Sequence, residues 1–264
     1  MKIGFIGLGN MASAIIGGIL KQGHFTENDI IGSAPTKSSR ERTAEEFGIG
    51  VTADNQAIAA DSDVLFLAVK PQVIESVIEE IRDCRKKDQM IISIIAGKSH
   101  DWFRKEFGEN VKLIRTMPNT PALVGEAMTA VCPGDNISSE ELDLAMNLLE
   151  SFGKAEIIPE KLMDAVVAVS GSSPAYVFMM IEAMADAAVK EGMPRKQAYK
   201  FAAQAVYGSA KMVLETGKHP GELKDMVCSP AGTTIEAVRV LEKEGFRSAM
   251  IEAMAACADV NRRL

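Results

Sequence analysis

Aromatic side chains are scarce in this 264-residue chain, Phe, Tyr and Trp together making up 5% of it with a single Trp. That disfavours a β-sandwich built around large rings, and the 15 Met residues read instead as adaptable filler between packed helices. Cysteine is equally sparse. Cys84, Cys132, Cys228 and Cys257 form no C-x-x-C pair, which excludes a disulfide scaffold and points to a reducing compartment, the cytoplasm. His24, His100 and His219 are scattered without metal-ligand spacing, so no metal site is expected. Positive charge is in deficit, 29 Lys and Arg against 36 Asp and Glu for a net −7, which argues against nucleic acid as a partner. Apolar runs such as 64–69 and 175–181 fall short of the roughly 18–20 residues that cross a bilayer, so no membrane span is expected. The start, Met1-Lys2-Ile3-Gly4-Phe5, reads as a strand rather than a secretory leader.

What is present is an ordinary globular balance, 47% hydrophobic and 25% charged, with enough length for one large or two modest domains. Over residues 1–159 short β-branched runs alternate with amphipathic stretches. Strands are predicted at 2–6, 29–33, 64–68, 90–95 and 112–116, with 127–132 as a further edge strand, and helices at 10–22, 38–47, 73–81 and 99–107. The pattern is that of a doubly wound, mostly parallel sheet. Strands 64–68 and 90–95 are apolar almost without a break, which places them centrally.

From 160 to 264 the texture becomes rich in Ala, Met, Glu and Lys at helical spacing, and an all-α domain is predicted. Ser173-Pro174 reads as a cap and first helical residue of a helix ending near Lys190. Gly192 and Pro194 separate it from the next, which runs to about Glu215. Ser229-Pro230 repeats the Ser-Pro start before a helix over 231–243, and Gly245 precedes a last one over 247–261. Helices such as the one holding Ala175-Tyr176-Val177-Phe178-Met179 are apolar around most of their circumference, more than so small a domain buries alone, and a homodimer or larger assembly through these helices is expected. Glu182 and Asp186 share one helical face and read as interface or helix-end partners.

Ile6-Gly7-Leu8-Gly9-Asn10-Met11-Ala12 places G-x-G-x-x-A directly between a strand and a helix, the context of a dinucleotide fingerprint. Gly7 makes the turn, Gly9 lets a pyrophosphate approach, and the N–H groups of Asn10 and Met11 face it. The second strand ends Gly32-Ser33-Ala34-Pro35-Thr36-Lys37-Ser38, with Asp29 at the wrong end to hold a ribose. With Ser33, Thr36, Lys37, Ser38 and Arg40 there to donate hydrogen bonds or positive charge around Pro35, and no carboxylate to repel a 2′-phosphate, NADPH is favoured, NADH being the other possibility.

The loops after the remaining strands carry Asp54-Asn55, Ala68-Val69-Lys70-Pro71, Ala96-Gly97 and Arg115-Thr116-Met117-Pro118-Asn119-Thr120-Pro121, followed by Gly171-Ser172-Ser173-Pro174 and Ser229-Pro230-Ala231-Gly232-Thr233-Thr234. On these motifs the chain resembles the pyrroline-5-carboxylate reductases along essentially its whole length. The resemblance implies a Rossmann-type NADP-binding domain followed by an all-α dimerisation domain, and reduction of L-1-pyrroline-5-carboxylate to L-proline with NADPH. It further implies a homodimer with intertwined helices, in some members a homodecamer, each active site lying between the nucleotide domain of one subunit and helices of its partner. It adds Asn55, Ala68, Val69, Lys70, Pro71, Ala96 and Gly97 to the cofactor-binding residues, although Lys70 also reads as a solvated lysine. Met117 and Asn119 are assigned by it to the nicotinamide and substrate.

Ser229 is predicted to cap a helix at Pro230, leaving the N–H groups of Gly232, Thr233 and Thr234 as an anion site for the substrate carboxylate, the function the resemblance gives this loop. Thr234, matching the family's second loop threonine, is the catalytic candidate. Ala231 stands where glycine is common in the family, harmless at negative φ and strained at positive φ. A β-hydroxyacid or other imine reductase, or an NADPH-binding sensor, are the rival readings; for the first, Lys161 is the one candidate lysine, with Asp164 where an asparagine is needed.

Overall fold

The computed structural model describes residues 1–263, which form two compact units, Met1–Ser172 with the segment from Cys257 onward, and Ser173–Ala256. In the first unit β1 (Ile3–Ile6) leads into α1 (Asn10–Gln22), followed by β2 (Ile30–Ser33), α2 (Lys37–Phe47), β3 (Gly50–Thr52), α3 (Asn55–Asp61), β4 (Val64–Leu67), α4 (Ile74–Ile81), β5 (Met90–Ser93), α5 (His100–Phe107), β6 (Lys112–Met117), β7 (Ala127–Pro133), α6 (Ser139–Glu150), β8 (Gly153–Ile157) and the short α7 (Met163–Val166).

The strands form one eight-stranded sheet in the order β3-β2-β1-β4-β5-β6-β7-β8, parallel throughout except for the β6–β7 pair. β4 and β5 lie at its centre, as their unbroken apolar sequence requires. β7 is an interior strand, antiparallel to β6 and parallel to β8, and not the predicted edge. The edge is β8, whose sequence Gly-Lys-Ala-Glu-Ile has too little apolar periodicity to announce itself.

Each sheet face has its own core. Ile3, Phe5, Phe66, Ile92 and Ile114 pack under Ile15, Ile16 and Ile19 of α1 and Leu148 and Leu149 of α6. Ile6, Leu65, Leu67, Ile91 and Leu113 pack under α3, α4 and α5 through Ile58, Ile74, Ile78 and Phe103. Burying such side chains stabilises by about 1.5–3 kcal/mol each. Phe5 and Phe66, opposite one another on neighbouring strands, stack with centroids 4.6 Å apart. Strand order reverses between β1 and β4, so the crevice beyond their carboxyl ends is where an open α/β sheet binds ligands.

α8 (Ser173–Lys190) begins and ends where the Ser-Pro start predicts, but it is preceded by further helical turns, so that residues 160–190 are helical almost without interruption. The run passes from a 3-10 turn (Glu160–Leu162) through α7 and a π-turn (Val167–Gly171) into α8. The π-turn, with Ser172 N–H donating to the Val167 carbonyl at 2.8 Å, absorbs the proline that would otherwise break the helix. Because two apolar stretches are thereby joined, the run is long and apolar enough to cross a membrane by length and composition, although no single stretch of sequence is. The second unit continues with α9 (Arg195–Thr216), α10 (Pro220–Val227) and α11 (Thr233–Lys243), and α12 (Phe246–Asn261) follows. α8 packs on α9, the two joined at Gly192 with φ 94°. Phe178, Met179, Phe201 and Leu214 of this pair stand exposed, Leu214 by 85%.

Candidate active site

At the carboxyl end of β1, Gly7 turns the chain with φ 98° and its N–H donates to the Ser33 carbonyl at 2.9 Å. A Cβ there would lie 2.6 Å from the Ala68 carbonyl oxygen, so the turn needs glycine whether or not a ligand is bound. Gly9 differs. It is the N-cap of α1 with an ordinary φ of −85°, no side chain caps the helix, and a Cβ on it would meet nothing within 4 Å. The fold leaves this space open, and it lies over the unpaired first N–H groups of a 13-residue helix, where Asn10 and Met11 begin. This is the cradle a pyrophosphate requires, and the residues present fit a dinucleotide. Ile6 and Leu8 are buried beneath it, the Leu8 side chain filling the space a Cβ on Gly32 would need.

Beyond β2, Thr36 caps α2 by accepting from Ser39 N–H, which presents a second helix N-terminus beside Ser33 and Pro35. Arg40 donates to the Ala34 and Pro35 carbonyls at 2.7 and 2.9 Å, fixing this loop while keeping its charge there. Lys37 is solvated and 3.4 Å from Glu41. Arg42, which sequence reasoning missed, donates to the Leu8 carbonyl at 3.0 Å and ties α2 to the glycine turn, a contact with no local signature. Asn55 is the first residue of α3, capped by Asp54, rather than a loop residue. It accepts from the Ser33 hydroxyl at 2.6 Å and donates to Glu80 at 2.8 Å. Ala68, Val69, Lys70 and Pro71 follow β4, with Lys70 exposed at the start of a 3-10 turn. Ala96 and Gly97 follow β5, Gly97 with φ 78°. The topology thus brings all the expected nucleotide residues to one edge of the sheet.

Met117 closes β6 at the same edge. Asn119, 9% exposed, turns its amide inward, accepting from Met128 N–H at 3.0 Å and donating to the Ser170 carbonyl at 3.0 Å. Further along this face, one oxygen of Glu160 accepts from the His100 N–H at 2.7 Å, lies 3.1 Å from His100 Nδ1 and pairs with Arg115. Burial pushes the His100 imidazole below its ordinary pKa, partly offset by Glu160. Burial would raise the Glu160 carboxyl, but the His100 N–H and the charges of Arg115 and His100 hold it below the usual range. Among the described residues no group of His, Cys, Asp and Glu is arranged to hold a metal.

In the helical unit Ser229 does not cap the helix. The chain turns at Ala231, whose φ is 56°, and α11 starts only at Thr233 with Gly232 as its N-cap. The Gly232 N–H is spent on the Ser229 carbonyl at 3.0 Å, so of the three amides expected to bind an anion, those of Thr233 and Thr234 remain, in the first turn of α11 where the helix itself supplies no acceptor. A Cβ on Gly232 would lie 2.3 Å from Ser229 Oγ and 3.1 Å from the Ser229 carbonyl oxygen, so a side chain there would have to displace the Ser229 hydroxyl. Thr234 is half-buried in the first turn. Of the side features, Asp186 pairs with Arg195 at 2.5 Å across the α8–α9 turn, as a helix-end partner does. Lys161 is exposed and Asp164 accepts from Asn261 at 2.7 Å, leaving no lysine–asparagine pair for a β-hydroxyacid reductase.

A family model described as pyrroline-5-carboxylate reductase dimerisation matches residues 160–264, and one described as NADP oxidoreductase, coenzyme F420-dependent, matches residues 2–97. The chain is 53% identical over 263 residues to the pyrroline-5-carboxylate reductase of Escherichia coli (strain K12), covering 100% of this chain and 98% of that one. It is 44% identical over 263 residues to the enzyme of the same name from Methanosarcina acetivorans, covering 100% and 97%. A crystal structure of pyrroline carboxylate reductase from Plasmodium falciparum with NADP bound superposes with a TM-score of 0.92 at 31% identity, covering 100% of this chain and 97% of that one. With likeness of this degree running from end to end, the chain belongs to the pyrroline-5-carboxylate reductase family.

Proposed function

We propose that the chain reduces L-1-pyrroline-5-carboxylate to L-proline with NADPH, the last step of proline biosynthesis, with residues 1–159 holding the nucleotide and 160–264 the substrate and the subunit contact. The observation that carries this reading is the 53% identity, over the whole chain, with the Escherichia coli reductase. The NADP bound to the Plasmodium falciparum reductase supports the choice of nucleotide.

Bound NADPH supplies the hydride that reduces the imine carbon. The protein's part is grip and orientation. The open space at Gly9 and the amides of Asn10 and Met11 take the pyrophosphate, and the α2 start with Lys37 and Arg40 takes the 2′-phosphate. Val69, Lys70, Ala96 and Gly97 line the route to the nicotinamide, and Met117 packs beside it. The Thr233 and Thr234 amides at the α11 N-terminus hold the substrate carboxylate, with Ser229 beside them. The Thr234 hydroxyl hydrogen-bonds the ring nitrogen. A threonine is too weak an acid to protonate it unaided, so it orients the protonated imine or relays a proton from water, and the nitrogen keeps that proton in the product.

The exposed apolar faces of α8 and α9 serve self-association, which the dimerisation match supports; we take the unit to be a cytoplasmic homodimer, with a homodecamer of such dimers as the larger alternative that the resemblance offers. The test is NADPH oxidation with and without pyrroline-5-carboxylate, for the wild type and Thr234→Ala. Consumption of NADPH should depend on the imine, and the variant should lose at least about tenfold in turnover with NADPH affinity unchanged. Imine-independent consumption, or wild-type turnover in the variant, contradicts the assignment.

A further inference from the structure

The helical run Glu160–Lys190 contains a proline, Pro174, whose missing N–H deprives the Ser170 carbonyl, four residues earlier, of its α-helical donor. Two things happen at that spot. The helix loosens into the π-turn Val167–Gly171, and the Asn119 amide donates to the Ser170 carbonyl at 3.0 Å from outside the helix. The other end of the same amide accepts from Met128 N–H of β7 at 3.0 Å. Asn119 therefore bridges strand and π-turn two residues after Met117, which lies against the turn: a Cβ on Gly171 would be 3.8 Å from Met117 Cγ and Sδ. Asn119 is buried and Ser170 half-buried, so leaving this amide or carbonyl unpaired is costly and the pairing is favoured.

We infer that Asn119 is a positioning residue for hydride transfer, one that touches neither substrate nor cofactor but sets Met117 by clamping the carbonyl that Pro174 leaves without a helical donor. The inference rests on the reductase reading above and gives Met117 its fixed place at the nicotinamide. Its distinguishing consequence is a coupling between two residues remote in sequence. Asn119→Asp keeps an acceptor for Met128 but turns an oxygen toward the Ser170 oxygen. Pro174→Ala returns an N–H that the Ser170 carbonyl can accept inside the helix.

The variants Asn119→Asp, Pro174→Ala and the double substitution are compared by single-turnover NADPH oxidation, NADPH affinity, thermal melting and amide exchange at Met128 in the free protein. Asn119→Asp should slow the single turnover at least about tenfold, with NADPH affinity within about threefold and the Met128 amide still protected. Adding Pro174→Ala should recover at least about threefold of the rate and raise the melting temperature above that of the single variant. A single-turnover rate within about twofold of wild type for Asn119→Asp, or a double variant as slow as the single, overturns the inference. If Asn119→Asp does not fold, a folded double variant supports the clamp and an unfolded one overturns it. Should wild type itself show no imine-dependent turnover, the functional reading fails, while melting and exchange still decide whether the clamp exists.

Discussion

Gly7 and Gly9 lie two residues apart and are glycines for different reasons, one required by the fold and one by what the fold holds. With φ 98° and a backbone oxygen 2.6 Å from any added Cβ, Gly7→Ala should destabilise the protein by about 2 kcal/mol or more, read in urea unfolding. Gly9→Ala meets nothing, so its melting temperature should stay within about 2 °C of wild type while NADPH affinity falls at least about tenfold. The spacing G-x-G-x-x-A made the turn legible in the sequence, but the division of labour needs coordinates. Ala231 was legible as a departure without its sign. Its φ of 56° is left-handed backbone, so Ala231→Gly should stabilise the native state by about 1 kcal/mol in the same unfolding assay. The same turn explains why Ser229, a good cap by type, does not cap: the chain spends three more residues before its dihedrals become helical. Asn119 was found by motif, but its two inward hydrogen bonds, to residues 9 and 51 positions away, leave no local trace.

Elements were legible where periodicity was strong. α1 and the apolar strands β4 and β5 stand where the pattern places them, to within a residue or two at their ends. α3 and β8 are too short or too polar to show, and α6 was not predicted either, although the reciprocal capping box of Ser138 and Glu141 is a signal that would have found it. The junction of α5, β6 and the start of the 160–190 run is held by charge rather than by apolar packing alone. His100 and Glu160 both have folded pKa values below their ordinary ones, so each binds fewer protons folded than unfolded. Their contribution is complete above the unfolded values and is lost as pH falls through the folded ones. The melting temperature should therefore drop once pH passes below about 6.5 and continue to drop through the carboxylate range. His100→Asn, which keeps a donor near Glu160 but cannot titrate, should flatten the first part of that fall; a variant profile parallel to wild type between about pH 6.5 and 5 would remove His100 from the account.

At the scale of the whole molecule, the sequence divides into a sheet whose central strands are buried on both faces and a helical half that keeps large apolar residues such as Phe178, Phe201 and Leu214 exposed in a single chain. That excess was legible from composition, because so short a helical segment lacks the volume to bury it. What composition could not supply is how far the helices run, since the π-turn before Pro174 has no compositional signature and its Ser170 carbonyl is met by Asn119, remote in sequence. The two sets of residues, glycine turn and late threonine loop, have a common purpose only if one substrate meets both. The direct test uses NADPH carrying deuterium at the transferred C4 position, with pyrroline-5-carboxylate as acceptor and mass spectrometry of the product. The account predicts one deuterium at C5 of proline for each NADPH consumed. Proline without deuterium at C5, or NADPH consumed without proline formed, would contradict it.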